Sequence, residues 1–114
     1  MITDGQEERQ FLYAQDCCEA LETVMNNYDD FKSDDELHVT SFNSIKIIDI
    51  AHIIQQNFDM IGKKVDIKPS IDIDTVQQNS KNIASKYLTN WWKPKTSLDD
   101  GISKVFTSMK KNYD

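Results

Sequence analysis

Glycine is scarce. The 114 residues hold only Gly5, Gly62 and Gly101, far apart from one another. A dinucleotide-binding turn needs glycines crowded into one phosphate-gripping loop, so the sequence offers no cradle for NAD. Cysteine is confined to the neighbours Cys17 and Cys18. A disulfide between adjacent residues strains the peptide, so two free thiols in a reducing, cytoplasmic setting are expected, with no positioned base to make either a nucleophile. His38 and His52 stand apart from any cysteine pair or carboxylate spacing typical of zinc ligands, and no metal site is expected. Long apolar runs are missing too. The richest stretch, residues 45–61, is broken by Lys46, Asp49, His52, Gln55, Gln56 and Asp59, which excludes a bilayer-spanning helix of about 20 apolar residues. The amino terminus does not read as a signal peptide.

Positive charge is thin where negative charge is dense. Residues 1–44 carry 11 acids against 2 bases, and residues 45–114 carry 8 acids against 11 bases. Nucleic acid is an improbable partner, because counterion release needs a concentrated basic face. Among the bases there is a single arginine, Arg9, beside 12 lysines.

What is present suits one small domain spanning residues 1–114. The balance of 39% hydrophobic and 28% charged residues is that of a chain with enough apolar surface to offset its conformational entropy. Arg9 to Ala14 reads as a buried strand or an extended entry. Asp16 then caps a helix with the stripe Cys17, Leu21, Val24 and Tyr28, ending near Asn26 or Asn27. Residues 29–36 form an acidic loop. Leu37 to Thr40 alternates as a strand, and Asn43 or Ser44 caps a helix that buries Ile47, Ile50, Ala51, Ile54, Phe58 and Ile61 until Gly62 stops it. Val65 to Ile67 suits another short strand and Ser80 to Leu88 a short helix. Ser97-Leu98-Asp99-Asp100 carries the form of a capping box, opening a last helix with the stripe Leu98, Ile102, Val105, Phe106 and Met109. The expected fold class is α+β, a helix-rich lobe with a few short strands.

Two segments carry a family resemblance. Gly5, Arg9, Phe11, Tyr13 and Asp16 are spaced as Gly-x-x-x-Arg-x-Phe-x-Tyr-x-x-Asp, and Trp92-Lys93-Pro94-Lys95-Thr96-Ser97-Leu98-Asp99-Asp100-Gly101-Ile102 is close to Trp-x-Pro-x-x-Ser-Leu-Glu-Glu-Gly-Ile. Both patterns resemble the carboxy-terminal, substrate-binding lobe of NAD-dependent epimerases/dehydratases, extended short-chain dehydrogenases/reductases that act on nucleotide sugars. The resemblance implies a lobe normally paired with a Rossmann NAD(P) domain, which these residues do not contain. It also implies a nucleotide-diphosphate sugar as ligand.

The resemblance implies a diphosphate contact for Arg9, a task suited to a planar, permanently charged fork; without it, a surface pair with Glu7 or Glu8 is the simpler reading. Tyr13 is a minor candidate for substrate contact, and Lys68, before Pro69, matches a basic residue followed by proline in some relatives. Trp92 reads as a core plug. Tyr28 and Lys32 match the family's catalytic Tyr-x-x-x-Lys in form only, because they lie downstream of Arg9 whereas the family's pair lies well upstream. No catalytic residue, cofactor site or turnover is expected from this chain alone. A lobe of this kind should expose apolar surface unless it forms a homo-oligomer or meets a separate Rossmann-domain chain. A different class of reading is an oligomeric scaffold derived from such a lobe.

Overall fold

A computed structural model of the chain describes residues 1–32, 34–74 and 84–113. In order these form strand β1 (Glu8–Gln10), helix α1 (Ala14–Asn26), a 3-10 turn at Tyr28–Asp30, strand β2 (Ser44–Lys46), helix α2 (Ile47–Met60), a second 3-10 turn at Tyr87–Asn90 and helix α3 (Leu98–Tyr113). β1 and β2 pair as a two-stranded sheet. The architecture is α+β. The described residues group into two compact units, one of residues 1–9, 44–74 and 99–113, the other of residues 10–32, 34–43 and 84–98.

In the first unit, α2 starts without a side-chain cap. Its first amides are taken by backbone instead: Ile47 N–H donates to the Glu7 carbonyl (3.1 Å) and Ile48 N–H to the Gly5 carbonyl (2.9 Å). Two orphan donors of the helix end are thereby satisfied. This corrects the expected cap at Asn43 or Ser44, since Ser44 is spent in β2. Gly5 is fixed in place by that contact. Its φ is +77°, and a Cβ there would stand 3.0 Å from Ile48 Cβ and 3.1 Å from Ile48 N. At the other end Gly62 stops α2 as expected, with φ +74°. Gly62 N–H bonds to the Asp59 carbonyl and Lys63 N–H to the Phe58 carbonyl, the paired bonds of a Schellman motif.

No residue of α2 is fully buried. Ile47, Ile50, Ala51 and Phe58 are half-buried, whereas Ile54 is exposed and Ile53 takes the inward position. Phe58 meets Phe106 of α3 edge-to-face, with ring centroids 4.9 Å apart, and Ser103 donates to Asn57 (3.1 Å). On α3, Ile102 and Phe106 are half-buried, but Val105 and Met109 are exposed, so only part of the expected stripe turns inward. The Val65–Ile67 strand is not formed; the Val65 carbonyl accepts the Gln55 side-chain amide instead (2.7 Å).

The second unit is built on Ala20, Leu88 and Trp92, with Leu12, Val24, Phe31, Leu37, Val39 and Phe42 packed around them. Trp92 is thus the core plug expected of it. α1 ends at Asn26, as its stripe indicates, yet its buried face is Asp16 and Ala20, with Val24 following. Leu21 is 54% and Tyr28 76% exposed. The inward face is rotated because a small alanine, not the larger Leu21, joins Leu88 and Trp92. Arg9 to Ala14 is not a buried strand: pairing stops at Gln10, and Phe11 is exposed. Leu37 to Thr40 forms no ladder; Leu37 and Val39 point to the core while the His38 Nδ1 accepts Ser85 N–H (2.7 Å). Of the helix expected over residues 80–88, positions 80–83 lie outside the described residues, and Tyr87–Asn90 is a 3-10 turn.

Candidate functional site

Arg9 sits in β1, with its side chain 28% exposed. Its Nη2 donates to the Asp74 carboxylate at 2.6 Å and its Nη1 to the Glu8 carbonyl at 2.8 Å. The acidic partner is therefore Asp74, not the side chain of Glu7 or Glu8. Asp74 is brought there by a run of chain that travels alongside the amino-terminal residues in the same direction. Ser70 N–H donates to the Thr3 carbonyl (3.0 Å), and Asp4 N–H to the Asp72 carbonyl (2.8 Å). Asp72 is pinned further by Ser70, whose hydroxyl donates to its carboxylate (3.1 Å).

Lys68 belongs to the same run. It is exposed, and its carbonyl accepts the Met1 amine (2.8 Å). Tyr13 lies in the other unit, half-buried at the position preceding α1, where its carbonyl accepts Cys17 N–H (3.1 Å). The Arg9 head group is held in a defined setting within its unit. Three donors of its fork, Nε–H and one hydrogen on each terminal nitrogen, are left after the two bonds described.

Asp16 does something the sequence did not suggest. It lies in the first turn of α1, only 2% exposed, and makes no cap to its own helix. One carboxylate oxygen accepts Lys95 N–H (3.0 Å) and Thr96 N–H (2.8 Å), and the other accepts the Thr96 hydroxyl (3.2 Å). Lys95 adds an ion pair from its ammonium to Glu19, one turn along α1 (2.7 Å), and that bond raises the Lys95 pKa. The end of the Gly5–Asp16 segment is thus joined to the Trp92–Ile102 segment. The missed signal was a carboxylate on a face that its neighbours Ala20 and Val24 mark as inward.

The remaining candidates behave as structure. Phe31, Tyr87 and Trp91 form an edge-to-face cluster, with Trp91 4.8 Å from Phe31 and 5.2 Å from Tyr87 between ring centroids. Tyr28 opens an exposed 3-10 turn, so it does not share a helix face with Lys32. Cys17 and Cys18 are free. Among the described residues there is no group of acids, histidines and cysteines able to hold a metal ion, and no helix long and apolar enough to cross a membrane.

No protein-family model matches the sequence. A GDP-L-fucose synthase of Sinorhizobium fredii (strain NBRC 101917 / NGR234) is 32% identical over 112 residues, covering 95% of this chain and 32% of that protein. The solved structure of DdhaC matches with a TM-score of 0.73 at 24% identity, over 98% of this chain and 32% of the other. A UDP-galactose 4-epimerase matches with a TM-score of 0.58 at 18% identity, over 93% and 34%. The homology to GDP-L-fucose synthase supports a likeness to the epimerase/dehydratase, extended short-chain dehydrogenase/reductase family, and the two solved structures share the fold. The chain spans about a third of the length of each of these three proteins. At these identities the two solved structures speak to the fold alone, and the sequence relative carries the family likeness.

Proposed function

We propose that this chain is the carboxy-terminal, sugar-nucleotide-binding portion of an epimerase/dehydratase, gripping the diphosphate of its ligand through Arg9. The observation that carries the reading is the Arg9 fork at β1, reachable by solvent and holding donors beyond those committed to Asp74 and Glu8. The likeness to a protein named GDP-L-fucose synthase favours a nucleoside-diphosphate sugar as the ligand class. Tyr13 and Lys68 are the second-rank contacts of the proposal. In the parent reaction class NAD(P) carries the hydride; this chain's share is grip, and no turnover is expected from it alone. Exposed apolar side chains on α2 and α3, among them Ile54, Met60, Val105 and Met109, favour packing against a second copy or a separate Rossmann-domain chain.

The test is a chemical-shift titration of the wild type, Arg9→Lys and Arg9→Ala with UDP and GDP. Affinity near millimolar is expected because a partial pocket is poorly preorganised. Arg9→Lys keeps the charge but loses the fork, and should weaken binding by about 1 kcal/mol, with Arg9→Ala weaker still. Equal affinity in all three proteins would remove Arg9 from the site.

A further inference from the structure

We infer that copies of this chain associate through unlike helices, the apolar stripe of α3 in one copy lying on the apolar stripe of α1 in another. On α1, Leu21 and Met25 are exposed, Met25 by 77%, and Tyr28 carries the same stripe just past the helix end. The core of the unit takes only the neighbouring strip of Ala20 and Val24, so α1 is apolar over a wider arc than its own unit covers. On α3, Val105 and Met109 are exposed. Both pairs are spaced i, i+4, which sets their side chains about 6 Å apart along each helix and lets one pair lie across the other. The contact rests on the reading that the uncovered apolar side chains are packed in an assembly, and it does not involve Arg9.

Charge decides which stripe meets which. From Gln10 to Phe31 the sequence has five acids and no base. Asp16 is buried and Glu19 is paired with Lys95, which leaves Glu22, Asp29 and Asp30 exposed beside the α1 stripe. From Gly101 to Tyr113 the sequence has three lysines and no acid, and two of them, Lys110 and Lys111, are exposed in the last turn of α3. Packing α1 on α1, or α3 on α3, opposes charges of one sign, whereas α3 on α1 joins opposite signs. The register follows from the same residues. Lys110 and Lys111 come directly after Met109, and Asp29 and Asp30 lie beyond Met25. With Val105 over Leu21 and Met109 over Met25 the helices run in the same direction, and the lysines meet the aspartates at the end of α1 whose dipole also favours cations.

Sedimentation velocity of the full chain reads the contact, with a reductant present because the exposed Cys18 can cross-link copies. The mean mass of the wild type should rise with protein concentration and fall when NaCl is raised from about 50 to 500 mM, because exposed charge pairs are screened. Lys110→Glu/Lys111→Glu and Asp29→Lys/Asp30→Lys should each need about tenfold more protein to associate. An equal mixture of the two should regain wild-type association, since each reversed helix finds its complement in the other variant. Met25→Gln should weaken association, whereas Met60→Gln, at the end of α2 and 84% exposed, should not. A wild type that stays monomeric throughout overturns the contact and leaves a separate Rossmann-domain chain to cover these side chains. Association that survives both charge-reversed variants, or a mixture of the two folded variants that stays monomeric, overturns it as well. If a charge-reversed variant loses its fold, the uncharged variants and the salt series decide: association unchanged in Met25→Gln, abolished in Met60→Gln or strengthened by salt is the contradicting result.

Discussion

The buried carboxylate of Asp16 accepts both the backbone N–H and the hydroxyl of Thr96, 80 residues along the chain. It also accepts the Lys95 N–H, so one side chain satisfies three donors. Asp16→Ala strands the two amides in a site with almost no solvent and should cost about 2–4 kcal/mol in urea unfolding. Asp16→Asn keeps an acceptor oxygen and should cost less, about 1–2 kcal/mol. Thr96→Val, which removes only the longest of the three bonds, should cost under about 1 kcal/mol. Asn as damaging as Ala would show that charge, rather than the donor count, governs the site.

Gly5 and Gly62 share a left-handed backbone but differ in their surroundings. A Cβ at Gly62 meets nothing within 4 Å, whereas one at Gly5 presses on Ile48 Cβ and N. Gly62→Ala should cost about 1 kcal/mol for conformation alone. Gly5→Ala adds overpacking against a helix start and should cost about 2–4 kcal/mol. Denaturant midpoints that rank the two variants the other way would contradict the close approach.

Phe42 is the one non-glycine residue with positive φ among those described, at 61°. Its ring packs against the Ala20–Leu88–Trp92 cluster, which offsets the strain. Phe42→Ala should lose the packing and keep the strain, while Phe42→Gly loses the packing and sheds the strain. The glycine variant should therefore be the more stable of the two by about 1 kcal/mol, an inversion of the usual order. Thermal melts of the pair decide it.

Tyr87 should ionise above its ordinary value of 10.0, chiefly because its phenol is hydrogen-bonded to Asp35, and further through desolvation and the charges of Asp35 and Asp30. A raised folded-state pKa means that this contribution is fully present below about pH 10 and is lost as pH climbs through the folded-state pKa. Ultraviolet titration of the wild type against Tyr87→Phe isolates the group. Asp35→Asn should bring its midpoint down towards 10.0; a wild-type midpoint at or below that value would contradict the bond.

Periodicity located the three helices because each has an amphipathic stripe long enough to outweigh local noise. Gly62 and Asn26 also marked two helix ends, where the stop is local. What periodicity could not supply was any feature completed by distant chain. The start of α2 depends on carbonyls of Gly5 and Glu7, so its local cap signal at Ser44 misled. The alternation at Leu37–Thr40 correctly turned Leu37 and Val39 inward, but alternation alone does not provide a strand to pair with. Arg9 stood out by being unique among the bases. Its partner Asp74, 65 residues away, carried no distinguishing signal among so many acids.

Because Arg9 is the only arginine, its side-chain Nε–H gives one resonance that needs no mutagenesis to assign. Following that resonance as UDP is added, with uridine as the matched ligand lacking phosphate, tests the diphosphate grip most directly. A saturable shift of the Arg9 Nε–H with UDP, and none with uridine at the same concentrations, is the expected result. A resonance that stays still with UDP while other residues shift saturably would place the ligand elsewhere and contradict it.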